Sequence, residues 1–500
     1  MTRVSTGCSG LDDILGGGLT PNRLYLLEGA PGSGKTTLAL QFLLEGVRSG
    51  EPGLYITLSE TAEELEAVAD SHGWALDGIR VFELASIENA LSPDREMTLF
   101  HPWEIELGET VKTIIEEVKR TGCRRVVFDS LSEMRLLAQD ALRYRRQILA
   151  LKHFFVGRES TVLLLDDTTG PADADLQLHS ISHGVITLGR LNLDFGVTRR
   201  RLEVQKMRGL SFREGWHDYV IRTGGLEVFP RLVAADHHEP FAGEPVSSGI
   251  AELDALLGGG PLRGTTTLMI GPAGAGKTTI ALRYTIAAAA RGERSVIYEF
   301  DERLGTMLTR SAKLGMNVKP HIADGMVKVV QIDPAMISPG EFAACVCRDV
   351  EAEGARLIVI DSLTGYLMAM QHEKQVMLQI HELLSYLNQR GVATFIIDPQ
   401  PGVVGSMQTA LNMSYLADAV LLLRFFEAGG RMRKAISAIK NRGGAHEDTI
   451  RELRIDPAAG GVLIGEPLTE FQGVLTGTPA YTGPIHPLLK TSGSESRNAK

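Results

Sequence analysis

The amino-acid sequence predicts an α/β fold of two tandem domains, each a mostly parallel sheet flanked by helices. Three observations predict it. Short apolar runs alternate with helical patterns along the chain, as expected for parallel strands joined by helices. A glycine-rich motif follows an apolar run in each half of the chain. Several other short motifs also occur twice, in the same order, which indicates an internal repeat.

The repeat shows most clearly near the start of each half. The segments Ser5-Thr6-Gly7, Leu11-Asp12 and Leu15-Gly16-Gly17-Gly18 recur as Ser247-Ser248-Gly249, Leu253-Asp254 and Leu257-Gly258-Gly259-Gly260. The matching lysines Lys35 and Lys277 are 242 positions apart (277 − 35). We therefore interpret the chain as a tandem duplication. Its predicted parts are a first domain over 1–233, a linker over 234–246, a second domain over 247–472 and a flexible tail over 473–500.

Each copy is expected to contain the same strands and helices. The predicted strands of the first copy are 24–28, 53–58, 125–128 and 161–165, with helices over 37–44 and 111–119. Those of the second copy are 267–270, 295–298, 357–360 and 393–397, with a helix over 374–388. The first copy is longer between its loop lysine and Asp129, and we place the extra residues in Ser92–Gly108, where 100–107 predict a hairpin. Packing or a partner contact could explain this insertion, and packing is favoured.

Composition and charge narrow the functional class. With 51 basic and 61 acidic residues the formal net charge is −10, which argues against a general nucleic-acid binder. The cysteines Cys8, Cys123, Cys345 and Cys347 have neither metal-site nor disulfide-framework spacing. The first residues lack an apolar signal core, and no apolar run approaches the ~20 residues that span a bilayer. We therefore expect a cytoplasmic protein with no membrane contact.

The two glycine-rich motifs fit the phosphate-binding pattern G-x-x-x-x-G-K-[ST]. They are Gly29-Ala30-Pro31-Gly32-Ser33-Gly34-Lys35-Thr36, followed by Thr37, and Gly271-Pro272-Ala273-Gly274-Ala275-Gly276-Lys277-Thr278, followed by Thr279. Glycines let backbone N–H groups wrap an anion, and the following helix adds its positive end. The lysine reaches the β- and γ-phosphates, and the threonine hydroxyl ligates Mg²⁺. The sequence thus predicts two sites for ATP and Mg²⁺.

Hydrolysis or phosphotransfer needs more than a phosphate loop. Apolar strands end in Asp129-Ser130 and Asp361-Ser362, which is the Walker B arrangement, so Asp129 and Asp361 are predicted Mg²⁺ ligands. Glu60 and Glu302 both lie 25 residues after their loop lysines (60 − 35 and 302 − 277), and we predict them as the general bases. A solvated acidic helix start is the alternative for these two glutamates.

Each copy has a pair of basic residues, a lysine and an arginine two positions apart, in its last third. Lys206-Met207-Arg208-Gly209 recurs as Lys440-Asn441-Arg442-Gly443 at the end of a strand. Side chains two apart in a strand project from one face, so each Lys-x-Arg pair could neutralise charge on a γ-phosphate. A neighbouring subunit could supply it. A solvated hairpin tip is the alternative.

Together these motifs resemble those of the KaiC-like circadian-clock ATPase and autokinase family of the RecA superfamily, over about residues 4–465. The resemblance implies two RecA-like P-loop domains, nucleotides at subunit interfaces and a homo-hexamer of two stacked rings. In such a ring Lys206 and Arg208, or Lys440 and Arg442, would act on the neighbour's ATP. It further implies a slow ATPase in the first domain, a Ser/Thr autokinase in the second, and an output or signalling protein as partner.

The sequence departs from this family at two places. Ser414 matches the acceptor serine, but Tyr415 stands where the family has a second acceptor, a threonine. This favours single-site phosphorylation, with Ser414 as the candidate acceptor. The family has Glu-Glu after the strand in both domains, where this chain has Ser59-Glu60 and Asp301-Glu302. Keeping both carboxylates, Asp301 and Glu302, favours the second domain for phosphotransfer.

Two other functions stay open. A RecA/RadA-like DNA-dependent ATPase would need basic or aromatic loops, whereas 168–183 and 400–414 contain Asp173 and Asp175 but no Lys or Arg. A nucleotide-gated scaffold with negligible turnover would bind ATP at the same loops without hydrolysing it.

Overall fold

The computed structural model describes residues 3–84, 102–138, 140–168, 178–192, 196–333, 335–369, 376–400, 413–428, 430–475 and 480–483. The chain forms two compact units. The first contains Met1–Leu232 and Ala335–Cys345, and the second contains Val233–Pro334 and Val346–Lys500. Each unit is built on its own sheet.

The sheet of the first unit has nine strands. They are β1 (Leu24–Gly29), β2 (Gly53–Thr57), β3 (Ile79–Glu83), β4 (Arg125–Asp129), β5 (Thr161–Asp167), β6 (Gly184–Leu191), β7 (Arg199–Met207), β8 (Trp216–Arg222) and β9 (Gly225–Phe229). Their order is β3-β2-β4-β5-β1-β6-β7-β8-β9. Neighbours from β3 to β6 are parallel, whereas β6 to β9 pair antiparallel. The carboxyl ends of the six parallel strands therefore share one edge.

The second unit repeats this topology. Its strands are β10 (Thr266–Pro272), β11 (Arg294–Glu299), β12 (Val327–Gln331), β13 (Ala355–Asp361), β14 (Ala393–Gln400), β15 (Ala419–Ala428), β16 (Arg431–Asn441), β17 (Arg451–Arg454) and β18 (Leu463–Pro467). The order β12-β11-β13-β14-β10-β15-β16-β17-β18 matches the first sheet strand for strand. The predicted fold class, two tandem domains with mostly parallel sheets, is confirmed.

Helices flank both sheets. In the first half they are α1 (Ser9–Ile14), α2 (Lys35–Arg48), α3 (Ala62–Ser71), α4 (Pro102–Thr121), α5 (Leu131–Ala138) and α6 (Ala141–Phe155). In the second half they are α7 (Ala251–Ala255), α8 (Lys277–Ala290), α9 (Leu304–Lys313), α10 (Lys319–Ala323), α11 (Pro339–Glu351), α12 (Leu363–Ala369) and α13 (Val376–Gln389).

The predicted hairpin over 100–107 is wrong for its described residues, because α4 begins at Pro102. The alternation of acidic and apolar residues over 104–107 is typical of a strand. The apolar spacing of Trp103, Leu107, Val111 and Ile114 has the helical period instead, and Pro is favoured in the first turn of a helix. Residues 85–101, which include most of the Ser92–Gly108 insertion, lie outside the described residues.

The core of each unit lies on both faces of its sheet. Successive residues of a strand point to opposite faces. Leu24 and Leu26 accordingly join one buried cluster of the first unit, and Tyr25 and Leu27 join the other. A parallel strand covered on both faces must be apolar throughout, which explains the continuous apolar runs in the sequence.

The recurring Leu-Asp motif at the start of each copy has a structural role. Asp12 accepts hydrogen bonds from the Ser5 hydroxyl at 2.6 Å and from the Thr6 N–H at 2.8 Å. Asp254 accepts the matching bonds from Ser247 and Ser248 at the same two distances. Each aspartate therefore fixes the loop that leads into its unit.

The predicted tail is partly folded. Val474 is buried against Phe426 and Ala435, and Phe471–Gln472 pair with Ala480–Tyr481 in a short antiparallel ladder. Packed structure thus continues past residue 473, the predicted start of the tail. Residues 484–500 lie outside the described part of the chain. No helix in that described part is long and apolar enough to cross a membrane.

Candidate nucleotide sites

Each glycine-rich motif forms a loop between a central strand and a helix. The loop follows β1 in the first unit and β10 in the second, and the next helices begin at Lys35 and Lys277. The residue before each lysine, Gly34 or Gly276, has a φ of 98° or 114°. This left-handed conformation favours glycine and lets the helix start directly under the loop, where its N–H groups form an anion site.

The two loop lysines have different partners. Lys35 Nζ lies 2.7 Å from Asp167 Oδ1 and also donates to two main-chain carbonyls of its loop. Lys277 Nζ donates to two carbonyls of its own loop, at 2.7 and 2.9 Å. Burial lowers the pKa of Lys277 to about 8. An anionic phosphate in the loop would favour the charged form of Lys277 and raise this pKa again.

The aspartates predicted from the strand ends lie beside these loops. Asp361 Oδ2 accepts the hydroxyl hydrogen of Thr278 at 2.7 Å, so the two predicted metal ligands of the second unit are in contact. Asp129 Oδ2 instead accepts the Tyr55 hydroxyl at 2.5 Å. Burial raises the pKa of both aspartates, that of Asp361 to about 6.

These residues fit Mg²⁺ in the manner of a nucleotide site. Among the described residues, no group of three or more His, Cys, Asp and Glu could hold a metal ion. A hydroxyl and a carboxylate beside a phosphate loop suffice, because Mg²⁺ keeps several waters and takes further oxygens from the phosphates. Thr278 and Asp361 supply such a pair in the second unit, and Thr36 and Asp129 are its counterparts in the first.

Glu60 is a carboxyl group near Lys35 and Asp129 of the first nucleotide site. It is half-buried, and its Oε2 is shielded from solvent without a hydrogen-bond partner among the described residues. Burial, together with the charges of Asp129 and Glu64, raises the pKa of Glu60 to about 7. A carboxyl group with this pKa exchanges a proton near neutral pH, which suits a general base.

The matching carboxylates of the second unit are held more tightly. Arg310 binds both oxygens of Glu302, at 2.6 and 3.2 Å. Asp301 accepts a hydrogen bond from the Ser362 hydroxyl. The position that matches Arg310 in the first copy is Val68, which explains why only the second unit has this ion pair. Equal spacing in the sequence does not give the two glutamates the same surroundings.

The basic pairs lie away from the phosphate loops of their own units. Lys206 pairs with Val185, near the start of β6, and its Nζ donates to the carbonyls of His179 and Ser182, which precede that strand. Exposed Arg208 follows β7 and donates to the Ser180 carbonyl at 2.8 Å. The pair therefore occupies the amino-terminal edge of the parallel strands, whereas the phosphate loop lies at the carboxyl edge.

The second unit has the same arrangement. Lys440 pairs with Val420 near the start of β15, and its Nζ donates to the carbonyls of Ser414 and Ala417, both at 2.7 Å. Arg442 follows β16 and is exposed. The structure brings Lys440 together with Ser414 and places neither of them beside Lys277.

Comparisons with a protein family model and with individual proteins agree with each other. A family model described as KaiC ATPase matches residues 4–233 and again 246–469. The chain belongs to the KaiC ATPase family. It is similar to the circadian clock protein KaiC3 of Synechocystis sp., with 27% identity over 96% of this chain and 95% of the relative. The circadian clock oscillator protein KaiC of Synechococcus elongatus is 26% identical over 96% of this chain and 92% of the relative.

As a member of this family the chain is an ATPase with two P-loop domains that bind ATP. The predicted family resemblance is thereby confirmed. Sequence reasoning nevertheless missed three groups at the sites, namely Asp167, Glu299 and Arg310. The first two were detectable, because both end strands whose carboxyl edge carries the phosphate loop. Arg310 lies within α9, and nothing in the sequence linked it to Glu302.

Proposed function

We propose that this KaiC-family ATPase uses Mg²⁺-ATP at sites completed by a neighbouring copy, and that its second domain phosphorylates Ser414. One observation carries the proposal. In both units the Lys-x-Arg pair lies at the sheet edge opposite its own phosphate loop. Two cations that recur at this position but cannot reach the phosphates of their own unit are suited to those of the next subunit. A head-to-tail contact that closes into a homo-hexameric ring provides this geometry.

In the first domain the attacking group is water. Lys35 and the loop N–H groups bind the phosphates. Thr36 and Asp129 would hold Mg²⁺, which would neutralise the negative charge of the phosphates as the terminal phosphoryl group passes to water and ADP leaves. Glu60 Oε2 takes the proton of the attacking water. Lys206 and Arg208 of the adjacent copy stabilise the same developing charge.

In the second domain the attacking group is water or the Ser414 hydroxyl. The Ser414 carbonyl is bound by Lys440, so the serine lies at the same edge as the basic pair and would meet the neighbour's ATP along with it. Asp301 and Glu302 of that neighbour are the candidate bases. Tyr415 beside it is 55% exposed and aromatic, so this turn offers one aliphatic hydroxyl and a single serine acceptor.

A mixing experiment tests the shared site. Lys277→Ala removes the phosphate contact in one chain, and the double variant Lys440→Ala, Arg442→Ala removes the donated cations in another. Each chain alone should lack phosphotransfer in the second domain. Co-expressed chains should recover it, because an intact loop then meets an intact basic pair. Activity in the Lys440, Arg442 variant alone, or no recovery in the mixture, would contradict the proposal.

Two further measurements separate the remaining alternatives. Native mass with and without ATP tests the hexamer. ADP release, compared with a Lys35→Ala, Lys277→Ala double variant, distinguishes turnover from a nucleotide-gated scaffold. Because the relatives are named circadian clock proteins, we propose a signalling or timing role with an output protein as partner.

A further inference from the structure

Glu299 is a second carboxylate beside Asp361 in the nucleotide site of the second unit. The two residues end neighbouring parallel strands, β11 and β13, and they are direct partners in the register. Paired residues of parallel strands point to the same face, with strands about 4.8 Å apart. In the first unit the matching partners are Thr57 and Asp129, so a hydroxyl stands there in place of a carboxylate.

Glu299 accepts the same backbone hydrogen bond in the second unit that Thr57 accepts in the first, and this bond uses only one of its two carboxylate oxygens. The Thr57 hydroxyl accepts the Glu60 N–H at 2.9 Å, and Glu299 Oε1 accepts the Glu302 N–H at the same distance. Glu299 Oε2 is fully buried and has no hydrogen-bond partner among the described residues. Only 2% of Glu299 is exposed. A threonine would complete the fold here, so packing does not explain the second oxygen.

Among the described residues, the cations near this pair, Lys277 and Arg310, form their hydrogen bonds with other groups. Arg310 binds both oxygens of Glu302, and Lys277 donates to carbonyls of its loop. Asp361 is also buried, and its side chain accepts a hydrogen bond from the hydroxyl of Thr278, which carries no charge. Two adjacent buried carboxylates without a bonded cation are costly, and a hard divalent cation with oxygen ligands would neutralise both.

We propose that Glu299 and Asp361 form a divalent-cation site, for Mg²⁺ or Mn²⁺, that fills before nucleotide binds. The site rests on the proposed metal role of Asp361 and adds to it a second protein ligand and an order of binding. At the matching positions the first unit has no such pair, because Tyr55 donates to Asp129 and Thr57 carries no charge. Its cation therefore arrives with ATP.

Electron paramagnetic resonance of Mn²⁺ on the full chain, freed of nucleotide, tests this site. The wild-type chain should bind one Mn²⁺ more than Glu299→Thr, which copies the first unit. Glu299→Gln keeps the bond from the Glu302 N–H, and it should weaken the site by roughly tenfold or more, because affinity rises with the charge of the ligands. Glu252→Gln is the control, since this carboxylate is exposed in the short helix α7 of the same unit, and it should leave Mn²⁺ binding unchanged.

Identical Mn²⁺ binding by the wild type, Glu299→Gln and Glu299→Thr would overturn the inference. An equal loss in Glu252→Gln would also overturn it, because the acidity of the whole unit would then explain Mn²⁺ binding. Fluorescent ATP titrated with Mg²⁺ on the same samples separates this inference from the proposed function. Chains that bind Mg²⁺-ATP but no Mn²⁺ alone refute only the cation site, whereas chains that bind neither refute both. Circular dichroism checks that each variant is folded. If Glu299→Thr is unfolded, the comparison of the wild type with Glu299→Gln tests the site.

Discussion

Asp167 Oδ1 lies 2.7 Å from Lys35 Nζ, so the lysine that is expected to bind the phosphates of ATP in the first unit forms an ion pair with a carboxylate of the protein. Asp167 is the register partner of Gly29 at the start of the loop. The register partner of Gly271 in the second unit is Pro399, which has no charge. The two sites therefore differ at the atom that meets the phosphates, although their loops have the same pattern.

Replacing Asp167 with Asn should strengthen ATP binding to the first unit. The carboxylate competes with phosphate for Lys35 and repels it, so we expect an affinity gain of roughly tenfold, or ~1.4 kcal/mol. Fluorescent ATP titrated into chains that carry Lys277→Ala reads the first site alone. Glu45→Gln removes a surface carboxylate of the same unit and should have no effect. Weaker binding by Asp167→Asn would show that the carboxylate assists the nucleotide.

Turnover by the first unit should rise as the pH rises through about 7. The pKa of Glu60 is raised to about 7, and a general base must be ionised to take a proton. ADP release by the Lys277→Ala chain, followed from about pH 5.5 to 9, gives the profile. Glu60→Gln should abolish the rise, whereas Glu63→Gln, at an exposed neighbour, should retain it. An unchanged profile in Glu60→Gln would assign the proton to another group.

The same carboxyl group should affect folding stability with a defined sign. Its pKa in the folded chain lies above the ordinary value of 4.5, so the folded state binds this proton more tightly than the unfolded state. The stability due to Glu60 therefore falls as the pH rises from about 4.5 through about 7. Urea unfolding at about pH 4 and about pH 8, on either side of this window, should show a smaller decrease for Glu60→Gln than for the wild type. An equal decrease in both chains would contradict this assignment.

Phosphate from labelled ATP should appear at Ser414. Its position beside Lys440 would bring the hydroxyl to the phosphates of an adjacent copy. Phosphopeptide mapping should find the label at Ser414, none in Ser414→Ala, and an unchanged amount in Tyr415→Phe. Label at another hydroxyl, or none at all, would reject Ser414 as the acceptor.

Loss of Asp254 should destabilise the second unit. Its buried carboxylate accepts hydrogen bonds from Ser247, Ser248 and Tyr284, and each buried donor left without an acceptor costs about 1–3 kcal/mol. Hydrogen-exchange mass spectrometry at increasing urea reads the units separately. Asp254→Ala should lower the transition of the second unit and leave that of the first. Exposed Glu252, in the same short helix, provides the control; similar losses for Glu252→Ala would assign the effect to the helix rather than to these bonds.

Strands and helices were predictable where the apolar pattern was long or repeated. The loops at Lys35 and Lys277 and the strands that end at Asp129 and Asp361 follow from patterns local to the chain. The hairpin over 100–107 failed because its four-residue alternation also fits the start of the helix that follows. Short segments allow more than one period, and the continuous apolar stripe along α4 decided between them.

The sequence by itself determined the duplication, the fold class, both phosphate loops and the family, because glycine conformation and apolar periodicity act over a few neighbouring residues. Only the tertiary structure decided how the two sites differ. It brings Asp167 to Lys35, Arg310 to Glu302 and Glu299 to Asp361, and it separates each basic pair from its own loop. The contacts of Asp167 and Glu299 and the position of each basic pair depend on which strands are neighbours and in which register. The contact of Arg310 with Glu302 depends on how the turn after β11 leads into α9. The order of residues along the chain specifies neither.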